Sequence, residues 1–434
     1  MNRIFSTLAT SILGLLIVSC TGEIVDYSEP TVTPPEIIPP EVTDLPTDIP
    51  DITIPTIASA PLSSIPAEII ENFNDFSLRF YLANSEGNKK NVCVSPLSVG
   101  AVLGMLANGD DGESRDGILK MMGFEENQKG LDALNTYYQT LLSNLPNIEE
   151  GITCNMTNTL WCDPSRYGII KSFMESIADC YYAYGIGINP SGDAGKNAIN
   201  MFVDKNTNGL IKDFLKKPLE SELAFLNTLY FKAGWSEAFV EWETYERIFV
   251  DIEGNEQVTD FMSNGEFAEY AVTEDGTEAV RFNYGELKQF SMMCILPSSS
   301  ISHTDLDEVL TLDNINDLNN NMKYMRAYVC LPKFEIEMNN PNTLSILTSM
   351  GMKDSSKFGL ITDVGEFYLN SFIHATKIKV DENGTEGAAV SLAEMTTGVH
   401  GPVPNVVFDR PFIFYIQENT TGTILFIGSV KTFS

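Results

Sequence analysis

Three histidines, seven cysteines and a large excess of acids are the side chains here that could do chemistry. His303, His374 and His400 form no H-E-x-x-H run and no cysteine–histidine spacing, so no metal site is expected. There is no G-x-S-x-G stretch and no serine–histidine–aspartate grouping, so the chain is not read as an enzyme. The cysteines after Cys20 are Cys93, Cys154, Cys162, Cys180, Cys294 and Cys330. Their spacing is not that of a small stapled scaffold, and several lie in apolar runs. Most therefore read as buried thiols, with Cys154 and Cys162 the one local pair that could bridge.

A stretch of a different kind lies within residues 380–411. The sequence there is V-D-E-N-G-T-E-G-A-A-V-S-L-A-E-M-T-T-G-V-H-G-P-V-P-N-V-V-F-D-R-P. From Thr385 to Gly398 it has no Pro, Lys or Arg, and almost every side chain is small. Glu386 and Glu394 share one parity. The other parity, Thr385, Gly387, Ala389, Ser391, Ala393, Met395 and Thr397, carries no charge. Such period-two segregation suits a strand with one buried and one wet side. Yet the run is poor in the β-branched and aromatic residues that hold a resident strand. It reads as a segment able to become a strand; an exposed Ala/Gly-rich loop or a weak helix is the plainer alternative.

Such a segment needs a scaffold. Residues 67–82 carry Ile69, Ile70, Phe73, Phe76 and Phe80 at helical spacing. Residues 91–98 read as a short strand ending in a polar turn, with Ser98 expected to cap a helix over 99–107. A second cap at Ser114 should start a helix ending near Gly123. Helices are also expected over 131–145, 167–184, 194–207 and 343–350, the last stopped by Gly351. Strands are expected over 152–161, 223–231, 290–296, 327–334 and 372–380, with a closing hairpin of 412–417 and 423–429. Residues 223–231 are nearly all apolar, as a buried central strand must be. Helices first and sheet afterwards make this an α+β chain.

The start of the chain is of another kind. In residues 1–19, Arg3 precedes an apolar core at 12–18, and Ile17-Val18-Ser19-Cys20 resembles a bacterial lipoprotein cleavage box. That implies cleavage before Cys20 and lipid on it; an ordinary secretory signal is the alternative. The apolar run is too short for a comfortable membrane span. Residues 20–61 recur in proline and hold Glu23, Asp26, Glu29, Glu36, Glu41, Asp44, Asp48 and Asp51 without a Lys or Arg. They read as an extended linker reaching on the order of 100 Å. Residues 62–434 remain for the folded domain. The whole chain has a formal charge of −32. That opposes nucleic acid, a heparin-like activator or a bare anionic membrane as partner. Membrane contact is expected through the lipid alone, and no cofactor is expected.

Four stretches, taken in order, resemble signatures of the serpin family. They are N-V-C-V-S-P-L-S, F-L-N-T-L-Y-F-K-A-G-W, V-D-E-N-G-T-E-G-A-A, and F-D-R-P-F-I-F with G-T-I-L-F-I-G. The likeness covers residues 63–432. It implies helices packed around three β-sheets, with an exposed reactive loop. It places Glu382, Gly384, Thr385, Glu386, Gly387, Ala388 and Ala389 in the hinge of that loop. Gly387 stands where Ala is more usual. The likeness also places Ser95, Ser98, Asn227 and His374 in a polar shutter beneath the point where the central sheet opens. Counted from Glu382, the reactive bond is Gly398–Val399, with Thr397–Gly398 and Val399–His400 as alternatives. The implied activity is suicide inhibition of a serine protease, or of a papain-like cysteine protease. A monomer is expected, and the Cys20 box, not the family likeness, puts it on the outer membrane or cell surface, facing the periplasm or the exterior. A serpin-fold binding or scaffold protein without inhibitory activity is the competing expectation.

Overall fold

Apolar residues at helical spacing mark out the helices of the molecule. The structure, a computed structural model, describes residues 37–38 and 60–433 apart from 264–266, 354–355 and 387–402. Among them are α1 (Ala67–Ser85), α2 (Pro96–Ala107), α3 (Glu113–Met121), α4 (Gln128–Asn144), α5 (Lys171–Tyr181), α6 (Gly192–Asn206), α7 (Leu312–Asn321) and α8 (Thr343–Ser349). The phenylalanine stripe of α1 buries Phe73, Phe76 and Phe80. Every residue of α2 is buried.

Two expected caps are corrected. α2 is capped by Ser95, whose side chain accepts from the Ser98 backbone N–H. Pro96 takes the first helical position, where a missing N–H costs nothing. The start of α3 is capped by Asp110, which accepts the N–H groups of Gly112, Ser114 and Arg115. The expected helix over 167–184 is shorter: its first residues pair as a strand, and Tyr182 stops it with φ of 50°.

The strands are β1 (Ile37–Ile38), β2 (Val92–Val94), β3 (Thr153–Cys162), β4 (Ile169–Ile170), β5 (Tyr184–Ile186), β6 (Leu223–Gly234), β7 (Tyr245–Val250), β8 (Glu256–Ser263), β9 (Phe267–Val272), β10 (Glu278–Tyr284) and β11 (Phe290–Leu296). They continue with β12 (Lys323–Arg326), β13 (Tyr328–Pro332), β14 (Phe334–Asn340), β15 (Lys357–Phe358), β16 (Phe367–Tyr368), β17 (His374–Asp381), β18 (Gly384–Thr385), β19 (Asn405–Val407), β20 (Phe412–Glu418) and β21 (Ile424–Val430).

Three larger sheets result. The first has the order β12-β9-β10-β11-β20-β21-β2, the second β19-β13-β8-β7, and the third β14-β17-β18-β6-β3-β5. In the first sheet β11, β20 and β21 are buried along their whole length, their mostly apolar runs carrying Gln417 and Glu418 into the core at the end of β20. α2 packs between this core and β6 of the third sheet.

Cys154 and Cys162 do not bridge. They stand at opposite ends of β3, about 26 Å apart at roughly 3.3 Å per residue. All six cysteines from Cys93 onward are free; five are buried and Cys180 is half-buried. Burial pushes the Cys93 thiol up to about 12, which makes it a poor nucleophile.

Candidate functional site

The third sheet is joined through two residues. β18 pairs with β17 on one side, Val380 facing Thr385 and Asp381 facing Gly384. On the other side Gly384 faces Gly234 and Thr385 faces Ala233, at the end of β6. Among the described residues, β18 is the link between β6 and β17.

The chain doubles back tightly from β17 into β18. The Asn383 N–H closes this turn on the Asp381 carboxylate at 3.0 Å. Gly384 has φ of 145°, and a Cβ there would lie 2.1 Å from the Ala233 carbonyl oxygen, so only glycine fits.

Around this turn the structure builds a clamp. The Trp235 indole donates to the Asp381 carbonyl at 2.9 Å, and its backbone N–H donates to the Asn383 carbonyl at 3.0 Å. The Trp235 ring stacks on Tyr284 with centroids 4.4 Å apart. The Tyr284 hydroxyl in turn lies 2.6 Å from Thr385 Oγ1. Tyr284 and Thr385 are both buried.

Glu382 is buried too, and it is held by Lys333 at 3.0 Å and by the Thr244 hydroxyl at 2.8 Å. Burial pushes its carboxyl up. Hydrogen bonds from its own N–H, Thr244 and Lys333 outweigh that and hold it below the usual range. The Glu386 N–H continues the ladder to the Lys379 carbonyl at 3.3 Å.

The far end of the loop is fixed in a different sheet. β19 runs parallel to β13, with Val406 facing Val329, and Val406 is fully buried. The Phe408 N–H bonds the Cys330 carbonyl at 3.0 Å. The stretch 387–402 is thus tied at one end in the six-stranded sheet and at the other in the four-stranded sheet. Gly387, Ala388, Ala389 and the bonds considered at Thr397, Gly398, Val399 and His400 lie outside the described residues, as does Cys20.

Lower in the six-stranded sheet, polar groups form one continuous chain. His374, the first residue of β17, is buried edge-on to Phe80, and its Nε2 accepts the Ser95 N–H at 3.0 Å. The ring proton therefore sits on Nδ1. Ser95 Oγ donates to the Leu425 carbonyl at 2.9 Å and accepts the Ser98 N–H. This capping role leaves the Ser98 hydroxyl free to donate to Asn227 Oδ1.

Asn227 Nδ2 donates to Asn158 Oδ1 at 2.6 Å, and Asn158 Nδ2 to the Tyr181 carbonyl at 2.8 Å. The Tyr181 hydroxyl donates to Asn135 Oδ1 at 2.8 Å, and Asn135 pairs with Asn108 at 2.9 Å. One hydrogen-bonded chain thus links β17, α2, β6, β3, α5 and α4. A cavity of about 80 Å³ lies between the strands, lined by Leu226, Asn227, Phe372, His374 and Ala375 with Ile199 of α6. Desolvation lowers the His374 pKa to about 3, so the ring is neutral at ordinary pH.

Ser95, Ser98, Asn227 and His374 are thus brought together, and Glu382, Gly384, Thr385 and Glu386 form a second cluster at the end of the same sheet. Sequence reasoning missed Tyr284, Lys333, Thr244 and Asn158. Asn158 carried a signal, an amide in a run otherwise fit for a buried strand. Tyr284 carried none, because it meets Thr385 from 101 residues away.

Comparison with known proteins agrees with this architecture. The family described as Serpin (serine protease inhibitor) matches residues 71–432. Human neuroserpin is 28% identical over 377 residues, covering 83% of this chain and 90% of that protein. The crystal structure of tengpin, a thermophilic serpin, in its native state aligns at a TM-score of 0.74 with 30% identity, covering 88% of this chain and 99% of tengpin. Human thyroxine-binding globulin complexed with thyroxine aligns at 0.76 with 21% identity, covering 84% of this chain and 98% of that one, a likeness of fold alone.

Proposed function

The chain belongs to the serpin family, and we propose that it is a suicide-type inhibitor that traps a serine protease, or a papain-like cysteine protease, as a covalent acyl-enzyme. The observation that carries this reading is the seated hinge. Gly384 and Thr385 already occupy the slot between β17 and β6, so the next residues need only extend a ladder that has begun.

The protease nucleophile attacks the carbonyl of the reactive bond. The C–N bond breaks, the new amine leaves with the C-terminal side, and an ester or thioester joins protease to inhibitor. The side that leaves stays tied to β13 through β19. The acylated side is free to zip between β6 and β17. From Thr385 to Gly398 it would run about 45 Å at roughly 3.3 Å per residue, carrying the protease toward the opposite pole. Each ladder bond contributes about 0.5–1.5 kcal/mol net. The resting state is then held kinetically. The polar chain through Ser98 and Asn227 suits this step, because hydrogen bonds can exchange partners as strands part, whereas interlocked aliphatic side chains resist.

The bond we assign is Gly398–Val399. With no Arg, Lys or large aromatic residue around it, elastase-like or subtilisin-like specificity fits better than trypsin-like or chymotrypsin-like specificity. We further propose that the protein is a monomer with no cofactor and no nucleic-acid partner. It would be lipidated on Cys20 and carried at the cell envelope, facing the periplasm or the exterior.

The test is to incubate the protein with elastase, subtilisin and papain and to follow denaturing gels by mass spectrometry. A boiling-resistant complex with release of a short C-terminal fragment supports trapping. Clean cleavage within 397–400 by these enzymes with no complex contradicts it and leaves a serpin-fold binding or scaffold protein.

A further inference from the structure

The proline-rich linker does not run clear of the domain. β1 (Ile37–Ile38) pairs antiparallel with β4, Ile37 facing Ile170 and Ile38 facing Ile169. The opposite edge of β4 is already taken by the body of the domain. Ile169 bridges to Thr362, the Ile170 N–H donates to the Ile361 carbonyl at 3.0 Å, and the Asp363 N–H donates to the Gly168 carbonyl at 3.1 Å. β4 is therefore a middle strand, and its outer edge is covered by the linker.

The sequence accounts for a short pairing here. Ile37-Ile38 is a β-branched pair bracketed by Pro34-Pro35 and Pro39-Pro40. β-branched residues favour the strand. Proline has no N–H to donate, so Pro39 and Pro40 stop the ladder directly after Ile38, and Pro34 and Pro35 limit it to one more residue, Glu36, on the other side.

The place of docking decides from which pole the linker leaves. The hinge sits at the Gly234 end of β6, beside the Thr153 end of β3, since Lys232 faces Thr153. The other end of β3, Cys162, faces Leu223, and β4 follows seven residues later. From Ala233 to Leu223 the sheet spans about 33 Å. Ala60, just ahead of the folded domain, lies on the hinge side. Its carbonyl accepts from Asn144 at 2.8 Å, and nine residues beyond Asn144 the chain enters β3 at Thr153. Between them Glu149 accepts the Leu287 N–H, while Gly285 bonds Gly234 beside the hinge. An undocked linker would leave near the Gly384–Thr385 hinge. Residues 39–59 can reach on the order of 65 Å, ample for the descent to β4.

We propose that Ile37–Ile38 docks the linker on β4, so that the amino-terminal tether leaves the domain at the pole opposite the Gly384–Thr385 hinge. Two consequences follow. The free tether shortens from 40 residues, Cys20 to Ala60, to 17, Cys20 to Ile37, a reach on the order of 50 Å instead of about 120 Å. If Cys20 carries the lipid proposed above, the domain stands with its Gly384–Thr385 hinge outward, toward an arriving protease; this orientation rests on that anchor reading, whereas the docking does not.

Hydrogen–deuterium exchange on the full chain tests the docking. Peptides spanning 36–41 should exchange about 10-fold more slowly than those spanning 23–33, and Ile38→Pro should erase the difference while leaving the domain's exchange unchanged. Uniform, unprotected exchange from 20 to 59 would overturn the proposal. As a second reading, Ile38→Cys with Ile169→Cys should crosslink on mild oxidation, whereas Val32→Cys with Ile169→Cys should not; equal crosslinking of both pairs would also overturn it. Palmitate labelling of wild type against Cys20→Ser tests the anchor separately, so a failed anchor and a failed docking give different results.

Discussion

Replacing Tyr284 with Phe should loosen the hinge without disturbing its surroundings. The ring stays where it is, stacked on Trp235 at 4.4 Å and edge-on to Phe231 at 5.2 Å. What is lost is the hydroxyl that meets Thr385 Oγ1 at 2.6 Å. Thr385 is only 2% exposed, so water cannot substitute while the hinge stays seated. A buried polar group left without its partner costs about 1–3 kcal/mol. The population with the hinge out of the sheet should then rise roughly 5- to 150-fold. Removing both partners, Tyr284→Phe with Thr385→Val, leaves no orphaned group and should recover most of the loss. The assay is hydrogen exchange of the backbone amides around Gly384–Glu386 in the uncut protein. Tyr284→Phe should speed exchange at least 5-fold, and the double variant should return toward wild type. Exchange within about 2-fold of wild type in Tyr284→Phe, or a double variant that is additive, would show that this hydrogen bond does not hold the hinge.

Thr385→Arg should abolish complex formation while leaving cleavage intact. A guanidinium cannot be buried between β6 and β17 without a partner, so the stoichiometry seen on gels should shift wholly to cut inhibitor. Acid should weaken the resting fold through His374. Its folded pKa, about 3, lies below the ordinary value near 6.5. The unfolded chain thus binds a proton in that window that the folded one refuses, and stability falls as the pH drops from about 6.5 toward 3. His374→Gln should flatten that part of a urea-melt series, and an unchanged slope would remove His374 as the cause. Asn227→Ala should orphan the Ser98 hydroxyl and Asn158 Oδ1 together. It should lower stability by about 1–3 kcal/mol in chemical denaturation, whereas a loss below about 0.5 kcal/mol would mean that the network reseals without it.

Much of the scaffold could be read from side-chain spacing. The α1 phenylalanine stripe, the apolar run of β6 and the closing β20–β21 hairpin stand where local pattern puts them, because burial alone decides them. The helix starts were less legible. Ser98 and Ser114 looked like caps by residue type. The backbone chose Ser95 and Asp110, and that choice frees the Ser98 hydroxyl to reach Asn227. The helix expected over 167–184 lost its first residues because β4 pairs on both edges, a tertiary demand that no local propensity announces. The turn that seats Gly384 and Thr385 was visible as the head of a string of small residues. Its clamp was not, since Tyr284, Lys333 and Thr244 come from three distant strands or turns and have no common spacing. The linker read as uniformly extended because proline and charge dominate it, and the two isoleucines that dock were too short a run to stand out.

The most direct test of loop insertion needs no knowledge of the natural target. The loop is cut within 397–400 by any protease that accepts it, and the melting temperature of the cut protein is compared with that of the intact one. Insertion of residues 386–398 beside the seated hinge adds ladder hydrogen bonds worth about 0.5–1.5 kcal/mol each, so the cut protein should melt roughly 10 °C or more above the intact one. A cut protein that melts at or below the temperature of the intact protein would contradict insertion, and with it the inhibitory mechanism.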